Sequence, residues 1–301
     1  MESPENYIAP EGLRDAVNVA LALGQPLLVT GEPGTGKTQL AASIAHELKL
    51  PGPFAFYTKT TSLATDLFYQ YDALRRFQDV QLGGREKGTD PGEYITYQAL
   101  GISILLSLLP DEADSHLPEE LRGKGPARSV VLIDEIDKAP RDLPNDVLNE
   151  IEKMEFTVKE TGSAFRADRT YRPVLVLTSN SEKNLPDAFL RRCVFYHIVF
   201  PSGDQLKQIV RKRFSCRPGI TPEFTPDFID AAVGHFEGIR KMDLKKRPAT
   251  AEFLAWISIL KSLGADKGSL KDHEKALGLS YSVLAKNRED LELLEKKSRV
   301  G

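Results

Sequence analysis

The sequence predicts an α/β fold, a parallel five-stranded sheet flanked by helices and joined to a smaller helical C-terminal domain. Three observations predict it. Short apolar runs alternate with helix-period segments between residues 26 and 200, the pattern of parallel strands joined by crossover helices. Two of the runs, Pro26–Thr30 and Ser129–Ile133, are almost continuously apolar, as strands covered on both faces must be. After Pro201-Ser202-Gly203 only helical spacing remains, which sets a domain boundary at about residue 202 and gives domains 1–202 and 203–301.

The elements follow in order. Leu13, Val17, Val19, Ala20 and Leu23 recur at helical spacing and stop at Gly24, so an amphipathic helix precedes the first strand. Strand Pro26–Thr30 runs into a glycine-rich turn and then helix Thr38–Leu48, and an aromatic strand near Phe54–Lys59 follows Pro51-Gly52-Pro53. The interval 61–125 reads as an insertion with helical segments around Ala64–Phe77 and Tyr94–Leu109, on either side of an exposed loop over Leu82–Glu93. Strand Ser129–Ile133 ends in Asp134-Glu135 and is followed by helix Leu143–Met154. The stretch Glu155–Arg172 alternates and turns at Gly162, a hairpin pattern. Strand Pro173–Thr178 delivers Ser179-Asn180 to the same sheet edge, and Val194–Phe200 is the fifth strand. Helices near Asp204–Phe214, Pro226–His235, Thr250–Leu263 and Ser280–Lys297 complete the chain.

A chain of 301 residues, 41% hydrophobic and 28% charged, can bury one large core or two modest ones. Its longest apolar stretch, Ala99–Leu109, is too short for a bilayer and is interrupted by Gly101, Ser103 and Ser107, so no membrane contact is expected. Met1–Asn6 has neither a basic start nor an apolar run. Cys193 and Cys216 lack metal-ligand spacing, and the five histidines are scattered, so a cytoplasmic location with free thiols is expected. A net charge of -3 gives no general attraction to nucleic acid. The basic clusters Arg211-Lys212-Arg213 and Lys245-Lys246-Arg247 read first as solvated helix faces or anion contacts.

The chemistry concentrates at four places. Gly31, Gly34 and Gly36 let the backbone curl with its N–H groups inward, while Lys37 reaches β- and γ-phosphates and Thr38 places a hydroxyl on Mg²⁺. Asp134, at the end of a buried strand, suits a Mg²⁺ site through a coordinated water, and Glu135 suits a base that orients the attacking water. Asn180 can hold that water or the γ-phosphate without adding negative charge. The adjacent guanidinium groups of Arg191 and Arg192 suit stabilisation of a transferring phosphoryl group, supplied from a neighbouring subunit.

In this order, GEPGTGKT, VVLIDEID, LTSN and LPDAFLRRC resemble the AAA+ ATPases, specifically their MoxR branch, over about residues 10–265. The hairpin Glu155–Arg172, the insertion after the second strand and Arg247-Pro248-Ala249-Thr250-Ala251-Glu252 add to the likeness. The resemblance implies a P-loop NTPase (AAA+) fold with a helical lid, ATP and Mg²⁺ as cofactors, and a homo-oligomeric ring, usually hexameric. It also implies a chaperone-like action on a protein client, commonly with a protein carrying a von Willebrand factor type A domain. By motif, Gly31, Glu32, Pro33, Gly34, Thr35, Gly36, Lys37 and Thr38 would form Walker A, and Asp134 and Glu135 Walker B. Asn180 would be sensor 1, and Arg191 or Arg192 the arginine finger. Sensor 2 departs from the pattern: Pro248 is followed by Ala249 rather than arginine, and Arg247 is the nearest candidate.

Two other readings stand beside this one: a nucleic-acid-directed motor of a restriction or defence system, and a nucleotide-gated scaffold. The aromatic stretch Phe68-Tyr69-Gln70-Tyr71, with Leu67, Leu74 and Phe77, is either a packed helix face or a client or base-stacking surface. Lys159, Arg166, Arg169 and Arg172 either face a pore or are solvated.

Overall fold

The structure, a computed structural model, describes residues 4–82, 90–180, 183–214, 224–266 and 270–298. Cys216 and residues 83–89 of the expected loop lie outside the described residues. Contacts divide the chain into two units. One comprises Ala9–Gly31 and Lys37–Ile198; the other takes residues 4–8, Glu32–Gly36 and the described part of 199–298.

In the first unit, helix α1 (Glu11–Leu23) ends where Gly24 turns left-handed at φ 63° and returns its N–H to the carbonyls of Ala20 and Leu21. Strand β1 (Leu27–Gly31), helix α2 (Lys37–Glu47) and strand β2 (Phe54–Tyr57) follow. The insertion holds β3 (Tyr69–Tyr71), α3 (Ala73–Leu82), β4 (Ile95–Tyr97), α4 (Ala99–Leu106) and α5 (Pro110–Ala113). Next come β5 (Val130–Asp134), α6 (Leu143–Asp146), α7 (Leu148–Lys153), β6 (Glu155–Thr157), β7 (Ala164–Arg166), β8 (Val174–Ser179), α8 (Asp187–Leu190) and β9 (Val194–Ile198). The five main strands are all parallel, in the order β2-β5-β8-β1-β9. This is the α/β sheet that the apolar runs predict.

Burial explains the pattern. Every residue of β1 and β8 is buried, because both strands sit inside the sheet with helices over them. Leu28, Val131, Ile133, Leu175 and Leu177 join Leu100, Ile104, Val147, Ile151, Phe156 and Phe189 in one core. Register then does the positioning. Ile133 lies opposite Leu177 and Thr30 opposite Ser179, so Gly31, Asp134-Glu135 and Asn180 emerge together at the C-terminal edge of the sheet.

The insertion differs from expectation. Ala64–Leu67 is a 3₁₀ turn, and Tyr69–Tyr71 and Ile95–Tyr97 pair as antiparallel strands instead of continuing helices. Aromatic and β-branched residues favour that ladder, whose partners are distant in sequence. Leu67, Phe68 and Tyr69 are core residues, whereas Leu74 and Phe77 on α3 are exposed. The helix expected over Leu143–Met154 breaks at Val147 and ends with Met154 left-handed at φ 51°. The hairpin is present, with β6 antiparallel to β7 and its turn at Gly162, φ 75°. Arg172 lies outside its strands and is committed to the carbonyls of Gly24, Ile151 and Glu152, which removes it from the pore-facing candidates.

The second unit is helical: α9 (Gly203–Phe214), α10 (Pro226–Arg240), α11 (Thr250–Ser262), α12 (Glu274–Leu284) and α13 (Arg288–Ser298). Its core is built on Phe228, Phe236, Phe253, Trp256, Ile257 and Tyr281, all almost fully buried. The helix expected over Ser280–Lys297 is two helices, α12 and α13, separated at residues 285–287. Among the described residues no helix is long and apolar enough to cross a membrane.

Candidate active site

The glycine-rich loop has the backbone its sequence demands. Gly34 and Gly36 adopt φ 74° and 87°, where a β-carbon is strained. A β-carbon at Gly34 would stand 2.7 Å from that of Ala249, and one at Gly36 would stand 3.1 Å from Tyr7. Thr35 Oγ1 donates to the carbonyl of Glu32 at 2.8 Å, tightening the turn. Lys37, only 6% exposed, donates from Nζ to the carbonyl of Gly31 at 2.8 Å, so its ammonium lies along the exit of β1.

The carboxylates are joined in a row. Thr38 Oγ1 lies 3.1 and 3.2 Å from the two carboxylate oxygens of Asp134. Thr178, fully buried on β8, donates its hydroxyl to Asp134 Oδ1 at 2.5 Å and accepts the backbone N–H of Glu135 at 2.9 Å. Asn180 Nδ2 donates to Glu135 Oε1 at 3.0 Å, and its backbone N–H donates to the buried Asp137 at 3.2 Å. Lys138 Nζ lies 2.5 Å from Glu135 Oε2. Thr38 and Asp134 offer the hard oxygen donors that Mg²⁺ takes. Among the described residues no group of three His, Cys, Asp or Glu is placed to hold a metal alone. A cation on Thr38 and Asp134 would therefore need further oxygens, such as those of nucleotide phosphates.

The arginines divide. Arg191 is exposed, on the turn that follows α8. Arg192 donates to Glu152 at 2.9 Å and to the carbonyl of Ala188 at 2.9 Å. Arg247 is exposed. Arg240, at the end of α10, instead donates to Glu32 at 2.8 Å and to the carbonyl of Pro248, with its guanidinium 3.4 Å over the ring of Phe200. Sequence reasoning missed Thr178, Lys138 and Arg240. Thr178 carried a signal, since a hydroxyl directly after the apolar run Val174–Leu177, on the same buried strand that leads to Asn180, must find a partner. Arg240 carried none, because its role depends on where α10 ends.

Comparison with known proteins identifies the family and the fold. Residues 26–193 match the family model described as AAA domain (dynein-related subfamily). No curated protein matches the sequence. Among solved structures, the chain is similar to the Thermotoga maritima RuvB Holliday junction branch migration motor, with a TM-score of 0.51 and 16% identity, covering 93% of this chain and 72% of that one. A mutant form of Thermotoga maritima RuvB gives a TM-score of 0.53 at 18% identity, covering 100% of this chain and 81% of that one. At such identities the likeness carries the fold alone.

Proposed function

Because the chain belongs to the AAA domain family, dynein-related subfamily, and is thereby an AAA+ ATPase, we propose that it is a Mg²⁺-dependent member of the MoxR branch. It assembles into a homo-oligomeric, six-membered ring and remodels a protein client, in company with a protein carrying a von Willebrand factor type A domain. The observation that carries the catalytic part is the hydrogen-bonded row Thr38, Asp134, Thr178, Glu135 and Asn180 at one sheet edge.

In this reading the Gly31–Thr38 backbone and Lys37 bind the β- and γ-phosphates. Thr38 and Asp134 would hold Mg²⁺, which would supply neutralisation of phosphate charge there. Glu135 accepts a proton from the attacking water, and Asn180 orients that water. Arg191 or Arg192 reaches the γ-phosphate of the neighbouring subunit. The Arg192–Glu152 pair does not prevent this, since its side chains are 47% and 62% exposed and such a pair is worth less than about 1 kcal/mol. Arg247 remains the candidate for a lid contact to nucleotide. The hairpin strands Glu155–Thr157 and Ala164–Arg166, with exposed Lys159 and Arg169 nearby, supply a surface for the client.

The test is ATP turnover and nucleotide affinity, with and without Mg²⁺. Lys37→Ala is expected to lose tight binding, and Glu135→Gln to keep binding while hydrolysis stops. Alanine at the true finger is expected to lower turnover by up to about 10³-fold and to regain activity when mixed with Glu135→Gln subunits. Equal loss of binding in Lys37→Ala and Glu135→Gln contradicts the assignment of the base. Turnover stimulated by DNA and not by protein would favour the nucleic-acid motor.

A further inference from the structure

We infer that Lys138 is a positioning residue that fixes the carboxylate of Glu135 in a single orientation. The inference rests on the ATPase reading above, in which Glu135 is the base. Glu135 has φ 55° and ψ 49°, a left-handed backbone that a residue with a side chain holds only when its surroundings impose it. Four contacts do so. The N–H of Glu135 is taken by Thr178 Oγ1 at 2.9 Å, and Asn180 Nδ2 occupies Oε1 at 3.0 Å. Lys138 supplies the other two: its backbone N–H donates to the carbonyl of Glu135 at 2.9 Å, and its ammonium sits 2.5 Å from Oε2. The Lys138 carbonyl is itself approached by Lys183 Nζ at 3.4 Å, as is that of Ala139, so the turn carrying Lys138 is held from the segment that follows Asn180.

The ion pair has little value as a structural prop. The two side chains are 40% and 36% exposed and three residues apart, a setting in which ion pairs add little to stability. Its effect falls on geometry. With Asn180 on one oxygen and Lys138 on the other, the carboxylate cannot rotate freely, and the plane of its remaining lone pairs is set before a water arrives. A base displaced by about 1 Å can lose about 10²-fold in rate. Lysine also suits the place because an ammonium only donates, and one such contact leaves the carboxylate further lone pairs with which to accept from water.

The experiment uses the full chain with Mg²⁺ and ATP, and compares wild type, Lys138→Met, Lys138→Arg, Glu135→Gln and the double variant Lys138→Met/Glu135→Gln. Lys138→Met is expected to lower kcat about tenfold while KM, nucleotide affinity and melting temperature stay near wild type. Lys138→Arg is expected to recover most of that loss. In single-turnover measurements the double variant is expected to be no slower than Glu135→Gln, since a residue acting through Glu135 has nothing left to orient. Wild-type kcat in Lys138→Met overturns the inference and leaves the ATPase reading intact. So does a loss that extends equally to nucleotide affinity, or one that persists in full without the Glu135 carboxylate. A wild-type protein that binds ATP without turnover overturns the ATPase reading, and the inference with it.

Discussion

Replacing Thr178 by valine exchanges a hydroxyl for a methyl group at a fully buried position between two carboxylate-bearing residues. Shape is nearly conserved, so the cost comes from hydrogen bonding. The bond to Asp134 Oδ1 has an ionised acceptor, and such bonds contribute about 1.5–3 kcal/mol. The N–H of Glu135 loses its acceptor in a part-buried setting, which costs at most the penalty of a fully buried unsatisfied donor, about 1–3 kcal/mol. Asp134 is partly exposed and keeps Thr38, which offsets some of the first loss. The net destabilisation expected is about 2–4 kcal/mol, or roughly 4–16 °C in Tm for a unit of this size. Thr178→Ser keeps the hydroxyl and is expected to lose about 1 kcal/mol or less. Urea denaturation of the three proteins measures this, and ATP turnover below the transition measures the catalytic effect. Since the hydroxyl anchors both carboxylate residues, Thr178→Val is expected to lower turnover at saturating ATP and Mg²⁺. A valine variant as stable and as active as wild type would refute the reasoning.

Two further perturbations follow from buried groups. Arg240→Lys keeps the charge but cannot lie flat on Phe200 while reaching both Glu32 and the Pro248 carbonyl; it is expected to cost about 1–2 kcal/mol in urea denaturation, and wild-type stability would show the guanidinium to be dispensable. Burial pushes the Cys193 thiol up to about 12, so at pH 8 its thiolate fraction is about 10⁻⁴ and iodoacetamide is expected to modify it about 10³-fold more slowly in the native protein than in urea; comparable rates by mass mapping of the Cys193 peptide would contradict that burial.

The site was legible where sequence neighbours do the work. Lys37 and Thr38 follow the glycines that make the turn, and Asp134, Glu135 and Asn180 end strands whose double-sided burial forces continuous apolar runs. What escaped depends on distant partners. Tyr69–Tyr71 and Ile95–Tyr97 each pass for part of a helix until they meet. Arg240 lies beyond the expected end of its helix, near His235, and only the extended helix brings it to Glu32. Phe77 and Leu74 fit a helical face in sequence, yet they are exposed while Phe68 and Tyr69 are buried, because the chain changes from strand to helix between them.

The strand order has a consequence for scale. β8 stands between β1 and β5, so the strand that launches the glycine loop and the strand that ends in Asp134 are two inter-strand steps apart, about 9.5 Å. The intervening strand acts as a bridge: it sets Thr178 and Asn180 in the gap between the loop that leaves β1 and the carboxylates that end β5, where they reach Asp134 and Glu135 from the neighbouring strand.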